Sequence, residues 1–267
     1  MSSGVLAVAQ ELRRWMGPLG RYRPGLFRKD LTEGFRNCDM WSLPTWARVL
    51  RCSSTAEEKL LETLQIRGQI VYDVGAFNGT YSLFFSRRVG ASGRVIAFEP
   101  RAESFATLLA NLQRNHITNV LPLHLGLGAE AGVRRLFMLP GMPTTASMSP
   151  EAQTPLRLAT GEAKVETLDQ LVETVPLPPP NLIKVDVEGL EMEVLQGSSR
   201  TLAQHLPDLL IEVHGDSGKH KAERIEALCR MLRPLGYSLL HAESGRKLAA
   251  AAPLAISSGH IFAHAAL

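Results

Sequence analysis

Cysteine is scarce in this chain, with three among 267 residues. Cys38, Cys52 and Cys229 form no C-x-x-C pair and no Cys/His cluster at metal-ligand spacing. A disulfide framework and a zinc module are therefore excluded, and a reducing, cytoplasmic setting is expected. The N-terminus lacks the charged start, apolar run and small-residue cleavage site of a secretory leader. Long apolar runs are missing too. The only extended stretch without formal charge, Leu248 to Leu267, is broken by Pro253, Ser257, Ser258 and Gly259 and carries His260 and His264. It reads as an Ala-rich loop leading into a last strand, and no transmembrane segment is expected. The chain also has no G-x-G-x-x-G after its first strand, which weakens a dinucleotide-binding reading.

Net charge is small, +3, but uneven. Residues 1–52 hold nine Lys/Arg against four Asp/Glu, a net of +5, while the remainder is net −2. The basic excess belongs to an N-terminal extension, residues 1–54, and reads as a solvated face, so no nucleic-acid partner is expected. Within it, Val5, Leu6, Val8, Ala9, Leu12, Trp15 and Met16 recur at helical spacing before Pro18, Gly20, Pro24 and Gly25 interrupt. Thr55 to Glu58 fits a capping box for a helix from about Ala56 to Ile66.

From residue 55 onward the pattern alternates. Apolar, β-rich runs occur at Ile70–Val74, Arg94–Phe98, Val120–Leu125, Leu182–Val187, Leu209–Val213, Tyr237–His241 and His260–Ala263. Helical patterns lie between many of them, at Thr80–Arg88, Ala102–Asn115, Leu190–Gln204 and Lys221–Leu235. This rhythm predicts an α/β domain with a doubly wound, mostly parallel sheet. Leu139 to Glu162 is rich in Pro, Thr, Ser, Gly and Met without a period, and is read as a lid loop.

Ligands of such sheets bind beyond the carboxyl ends of the strands. At the first tip, Asp73-Val74-Gly75-Ala76-Phe77-Asn78-Gly79 offers a turn glycine, a close backbone approach and a helix N-terminus. The second strand ends in Glu99-Pro100, where a carboxylate can accept both ribose hydroxyls and would repel a 2′-phosphate. Asp73 adds a carboxylate for a ligand's ammonium group. A cofactor with ribose, an amine and no phosphate fits: S-adenosylmethionine. The fourth strand puts Lys184, Asp186 and Glu188 on one side of a segment that should be continuously apolar. The Lys184 ammonium must reach open water or a carboxylate, for which Asp186, Glu188 and Glu212 are the candidates. The fifth strand ends in Glu212-Val213-His214-Gly215 at the same rim.

Together DVGAFNGTYS (Asp73–Ser82), VIAFEP (Val95–Pro100), ETLDQL (Glu166–Leu171), LIKVDVEGLEMEVLQG (Leu182–Gly197) and LLIEVHG (Leu209–Gly215) resemble the FkbM family of S-adenosylmethionine-dependent methyltransferases. The resemblance implies the class I, Rossmann-like fold with seven strands in the order 3-2-1-4-5-7-6, the seventh antiparallel. It implies cofactor binding by Asp73, Gly75, Ala76, Phe77, Asn78, Gly79, Glu99, Pro100, Gly126, Leu127 and Asp186. Ala146-Ser147-Met148 is similar to a short family signal. Where relatives often have Asn two residues after the first Gly, this chain has Phe77, with Asn78 one place later.

The expected reaction is O-methylation of a hydroxyl on a sugar or natural-product small molecule. Asp186 and His214 are the candidate bases, and Glu188 positions the base or the substrate. A divalent ion between Asp186 and Glu188 is conceivable, but no further ligand is evident and no metal site is expected. The alternatives are an N-methyltransferase, an NAD-dependent oxidoreductase and a non-catalytic cofactor-binding protein. A homo-oligomer is compatible with the sequence.

Overall fold

The computed structural model describes residues 56–140, 142–150, 153–215, 217–248 and 259–265. The N-terminal extension, its amphipathic stripe and the Thr55 cap lie outside the described residues.

Two sheets form the described chain. The larger has eight strands: β1 (Ile70–Val74), β2 (Arg94–Phe98), β3 (Val120–Leu123), β8 (Leu182–Val185), β9 (Asp208–Glu212), β10 (Tyr237–His241), β11 (Arg246–Lys247) and β12 (His260–Ala265). Across the sheet they run β3-β2-β1-β8-β9-β12-β10-β11. Without the two-residue edge strand β11, and numbered in chain order, these seven lie as 3-2-1-4-5-7-6. The strand β12 is antiparallel to both of its neighbours, and β3, β2, β1, β8 and β9 pair in parallel.

Two layers of helix cover this sheet. On one face lie α1 (Ala56–Thr63), α2 (Thr80–Val89) and α3 (Ala102–Arg114). They bury Leu61, Phe84 and Phe85 against Val71, Val95, Leu182 and Leu210, and Phe105 and Leu108 against Ala97. On the other face lie α4 (Leu168–Thr174), α5 (Glu191–Gln196), α6 (Ser199–His205) and α7 (Gly218–Leu232). Their Leu168, Val194, Leu202 and Leu228 pack on Tyr72, Phe98, Ile183 and Ile211. The period-2 alternation of each strand thus feeds both cores.

Two expectations are corrected. Leu190–Gln204 reads as one helix but is two, α5 and α6, parted at Gly197 and Ser198, where Gly197 passes so close to the Gly128 carbonyl that a Cβ there would sit 2.0 Å from its oxygen. The segment 139–162 is not loop throughout. Residues 139, 142–147 and 158–162 of it belong to a second, four-stranded sheet, ordered β4-β7-β5-β6, made of β4 (Gly126–Leu127), β5 (Gly132–Leu139), β6 (Met142–Ser147) and β7 (Leu158–Glu166). Backbone pairing between β5 and β7 from Gly132↔Val165 to Met138↔Leu158, with one bulge, holds it together despite a mostly exposed surface. Among the described residues no helix is long and apolar enough to cross a membrane.

Candidate active site

A cavity of about 270 Å³ opens at the carboxyl ends of β1, β2, β8 and β9, roofed by the second sheet. The tip of β1 shapes one wall. Gly75 takes φ 84°, and a Cβ there would lie 1.8 Å from the Asp186 carbonyl oxygen, so the β1 and β8 tips touch only because this residue has no side chain. The amides of Gly75 and Ala76 both donate to the Phe98 carbonyl, at 3.0 and 2.9 Å. Phe77 follows at φ 50°, a left-handed conformation unusual for an aromatic residue. Its N–H donates to Glu99 Oε2 at 2.8 Å, and the Arg101 N–H donates to Glu99 Oε1, also at 2.8 Å.

Glu99 is therefore held rigidly with its oxygens beside the cavity. Burial pushes its carboxyl up to about 7, against the opposing pull of the two amides. Pro100, Gly126 and Leu127 continue this wall, joined by Met148, whose terminal methyl occupies the space a Cβ on Gly126 would need.

Not every residue expected at the cofactor reaches the cavity. Gly75, Phe77, Glu99, Pro100, Gly126, Leu127 and Asp186 line it; Asp73, Ala76, Asn78 and Gly79 do not. Asn78 caps the next helix through Thr80, its Oδ1 accepting from the Thr80 amide and hydroxyl. Asp73 is fully buried beneath α2, accepting from Ser82 Oγ at 2.6 Å, and pairs across the ladder with Lys184. Strand alternation places its side chain under the helix and away from the crevice.

Lys184 is almost fully buried. Its ammonium donates to Asp186 Oδ2 at 2.9 Å and sits 4.1 Å from the centre of the Tyr81 ring. Burial opposes its charge, but Asp186, Glu57 and Asp73 outweigh that and raise its pKa. Of the three partners open to it from the sequence, Asp186 is the one that bonds. Glu57, from α1, was not foreseen; it accepts from the Tyr81 hydroxyl at 2.6 Å and lies 3.3 Å from His260 Nε2.

The opposite wall is the acidic one. Asp186, Glu188 and Glu212 surround His214 Nε2 at 3.8, 3.6 and 3.7 Å, while His214 Nδ1 meets Glu191 Oε1 at 2.8 Å. Burial works against a charged His214, yet the Glu191 hydrogen bond, Glu188 and Asp186 push its pKa up to about 9. Asp186 is held below the usual carboxylate range, since Lys184 and His214 outweigh its burial. Glu188 goes the other way. Burial, reinforced by Asp186 and Glu212 against His214, raises it to about 7. The neighbouring carboxylates thus favour a charged His214, and burial favours a neutral Glu188. The ligand atoms of Asp186, Glu188 and His214 lie within 4.8 Å of one another, which sets the imidazole beside the two carboxylates first considered for a cation.

Among the lining residues, four carboxylates (Glu99, Asp186, Glu188, Glu212) face one guanidinium, Arg101, and one imidazole. That balance suits a cationic ligand without phosphate.

A sequence profile described as "Methyltransferase FkbM domain" matches residues 73–239. The chain is 33% identical to the hexuronic acid methyltransferase AglP of Haloferax volcanii over 168 residues, 62% of this chain and 64% of that protein. It is 27% identical over 177 residues to the 31-O-demethyl-FK506 methyltransferase FkbM of Streptomyces tacrolimicus, covering 57% of this chain and 67% of that one. The match thus spans a little under two thirds of the Haloferax relative's length. Among solved structures, a methyltransferase FkbM from Methylobacillus flagellatus superposes with a TM-score of 0.50 at 19% identity, over 75% of this chain and 45% of that one, which shows a shared fold.

Proposed function

The chain belongs to the FkbM methyltransferase family and has the class I methyltransferase fold, and from that premise we propose that it transfers a methyl group from S-adenosylmethionine to a hydroxyl oxygen of a sugar or natural-product small molecule. The observation that carries the reading is the set of four carboxylates around a cavity that holds one guanidinium and one imidazole. The names of the two relatives, one for a hexuronic acid and one for a 31-O-demethyl compound, favour oxygen in such an acceptor.

On this reading Glu99 accepts from the ribose hydroxyls, Gly75, Phe77, Pro100, Gly126 and Leu127 enclose the nucleoside, and Asp186 faces the positive sulfonium. When bound, S-adenosylmethionine supplies a methyl group already activated for displacement. The chain's own residues align the acceptor, exclude water and manage one proton. Glu188 receives the acceptor's hydroxyl proton, being basic enough at neutral pH and open to the cavity. Asp186, fixed by Lys184, and His214 frame the acceptor oxygen. The second sheet takes the covering role first given to a loop, on a single cofactor-binding domain that follows an N-terminal extension of 54 residues.

Thermal shift with S-adenosylmethionine, S-adenosylhomocysteine and NAD⁺ tests the cofactor: the first two should raise the melting temperature in a concentration-dependent way and the third should not. Stabilisation by NAD⁺ alone would overturn the reading. Methyl transfer to a panel of sugar and polyketide hydroxyls then tests the acceptor class, and incorporation only into amines would move the reaction to nitrogen.

A further inference from the structure

Asp186, Glu188, Glu212 and His214 meet at the cavity with an uneven spacing. On their outer sides the contacts are tight. Lys184 Nζ, on a side chain 1% exposed, donates to Asp186 Oδ2 at 2.9 Å. Glu191 Oε1, on a side chain 2% exposed, meets His214 Nδ1 at 2.8 Å. Glu191 is itself fixed, accepting from the Gly189 amide at 2.9 Å and standing 3.3 Å from Arg224 Nη1. Ser147 Oγ donates to the Glu188 carbonyl at 2.7 Å, which holds the turn that carries Glu188 at φ 50°. On the inner side the gaps are wide. His214 Nε2 stands 3.8 Å from Asp186 Oδ1, 3.6 Å from Glu188 Oε1 and 3.7 Å from Glu212 Oε1.

These inner gaps are too long for N–H···O hydrogen bonds, whichever of the groups carry protons. They match the spacing of atoms that share one small divalent ion, which stand roughly 3–4 Å apart when each lies about 2.1 Å from it. The ligand atoms of Asp186, Glu188 and His214 are all within 4.8 Å of one another. Sequence alone leaves Asp186 and Glu188 without a third ligand; the fold brings the imidazole to them. The outer contacts are also those of a metal site, where a ligating histidine gives its other ring N–H to a carboxylate and a ligating carboxylate is itself hydrogen-bonded. A solvated acidic patch has no reason to set a buried lysine and a buried glutamate behind it.

The geometry points to a divalent-cation site whose ligands are His214 Nε2, Asp186 Oδ1 and Glu188 Oε1, with Glu212 beside them and with Lys184 and Glu191 as positioning residues. One nitrogen among oxygens suits a first-row transition ion, Mn²⁺ for example, better than Mg²⁺ or Ca²⁺. Three protein ligands leave coordination positions open, and all three line the cavity. The site stands without the methyl-transfer reading, but its role rests on it. On that reading the open positions take the acceptor hydroxyl beside the methyl donor and weaken its O–H bond, and Glu188 Oε2 receives the proton.

The test is Mn²⁺ binding to the full chain without an affinity tag, at about pH 8 because each ligand must give up any proton it holds. Electron paramagnetic resonance counts the bound ion, and its spin-echo modulation reports a coordinated imidazole nitrogen. Wild type should bind one Mn²⁺ in the micromolar range and show the nitrogen signal. His214→Asn should abolish that signal and weaken binding by about tenfold or more, and Glu191→Gln should weaken it by about tenfold, the usual cost of removing a histidine's outer partner. Glu226→Gln, in an exposed pair with Arg230, should change nothing. No saturable binding below millimolar Mn²⁺, a wild-type spectrum without nitrogen, an affinity unchanged in His214→Asn or Glu191→Gln, or an equal loss in Glu226→Gln would each overturn the proposal. Should Glu191→Gln fail to fold, wild type and His214→Asn, at a partly exposed position, still decide it. Calorimetry with S-adenosylhomocysteine on the same samples separates the two readings. Mn²⁺ binding without S-adenosylhomocysteine binding would strike the cofactor and leave the ion site; the reverse result would strike the ion site and leave the cofactor.

Discussion

Replacing Lys184 with methionine should cost the protein a large part of its stability, and the loss should depend on pH. The ammonium is 1% exposed and stands between the Asp186 carboxylate at 2.9 Å and the buried Asp73 next to it across the ladder. Methionine fills much of the same volume, so packing changes little while the charge disappears. Asp73 then keeps only the Ser82 hydroxyl, and its Oδ1 has no hydrogen-bond partner even in wild type. Removing one partner of a buried pair typically costs about 3–5 kcal/mol. For a chain of this size that corresponds to roughly 6–20 °C in melting temperature. The sign with pH follows from Asp73, whose pKa burial already raises even with Lys184 and Ser82 opposing. A carboxyl raised in the folded state contributes stability at acid pH and loses it as pH climbs through its folded value, above the ordinary 3.8. Lys184→Met should therefore be most defective at pH 7.5 in urea unfolding and recover part of the deficit toward pH 5. Adding Asp73→Asn should restore part of it at both pH values. A single variant within about 1 kcal/mol of wild type at pH 7.5, or one whose deficit grows on acidification, would refute this account of the pair.

Three further outcomes follow from the site. Glu99 titrates near 7 in the free protein, and a ribose hydroxyl favours its ionised form, so calorimetry should show S-adenosylhomocysteine affinity falling below pH 7 by up to about tenfold per pH unit, with Glu99→Gln weak and flat across that range. Asp186→Asn should reduce turnover by about a hundredfold or more while leaving S-adenosylhomocysteine affinity within about tenfold; equal losses in both would remove Asp186 from the transition state. Gly75→Ala forces a Cβ to within 1.8 Å of the Asp186 carbonyl at φ 84°, and should destabilise by roughly 2–5 kcal/mol in chemical unfolding; a neutral result would mean that the β1 and β8 tips do not touch.

The central sheet was legible because each of its seven long strands is a short apolar run that needs no partner to be recognised. The same logic located Glu99, Asp186, Glu188 and His214 at the strand tips. It erred on Asp73, where proximity to the rim was read correctly but the period-2 alternation, which turns that side chain under α2, was not applied. The second sheet escaped notice because β7, Leu158-Ala-Thr-Gly-Glu-Ala-Lys-Val-Glu166, is exposed over most of its length and shows no alternation; pairing with β5 defines it, and pairing leaves no mark in one sequence. The need for glycine at Gly197, beside the break between α5 and α6, has no local mark, since the Gly128 carbonyl it packs on lies 69 residues earlier. Glu191 and Arg224 lie in charge-rich helical runs that look like solvated faces. The roles proposed for His214 and Glu188 had no mark in the sequence, because a histidine's basicity depends on which carboxylates surround it, and only the folded chain assembles those.

The insertion between the third and fourth central strands meets the main body along the turn after β8 and the helix α5. Gly128 backs onto Gly197, Leu136, Met148 and Val165 pack on Leu190, Arg134 pairs with Glu193, and Ser147 Oγ donates to the Glu188 carbonyl at 2.7 Å. Because these anchors lie on one side, the exposed ends of β5 and β7 beyond them can change length and sequence while the Glu99 wall stays put. Such a chain can be retuned toward a new acceptor without relearning how to hold its methyl donor.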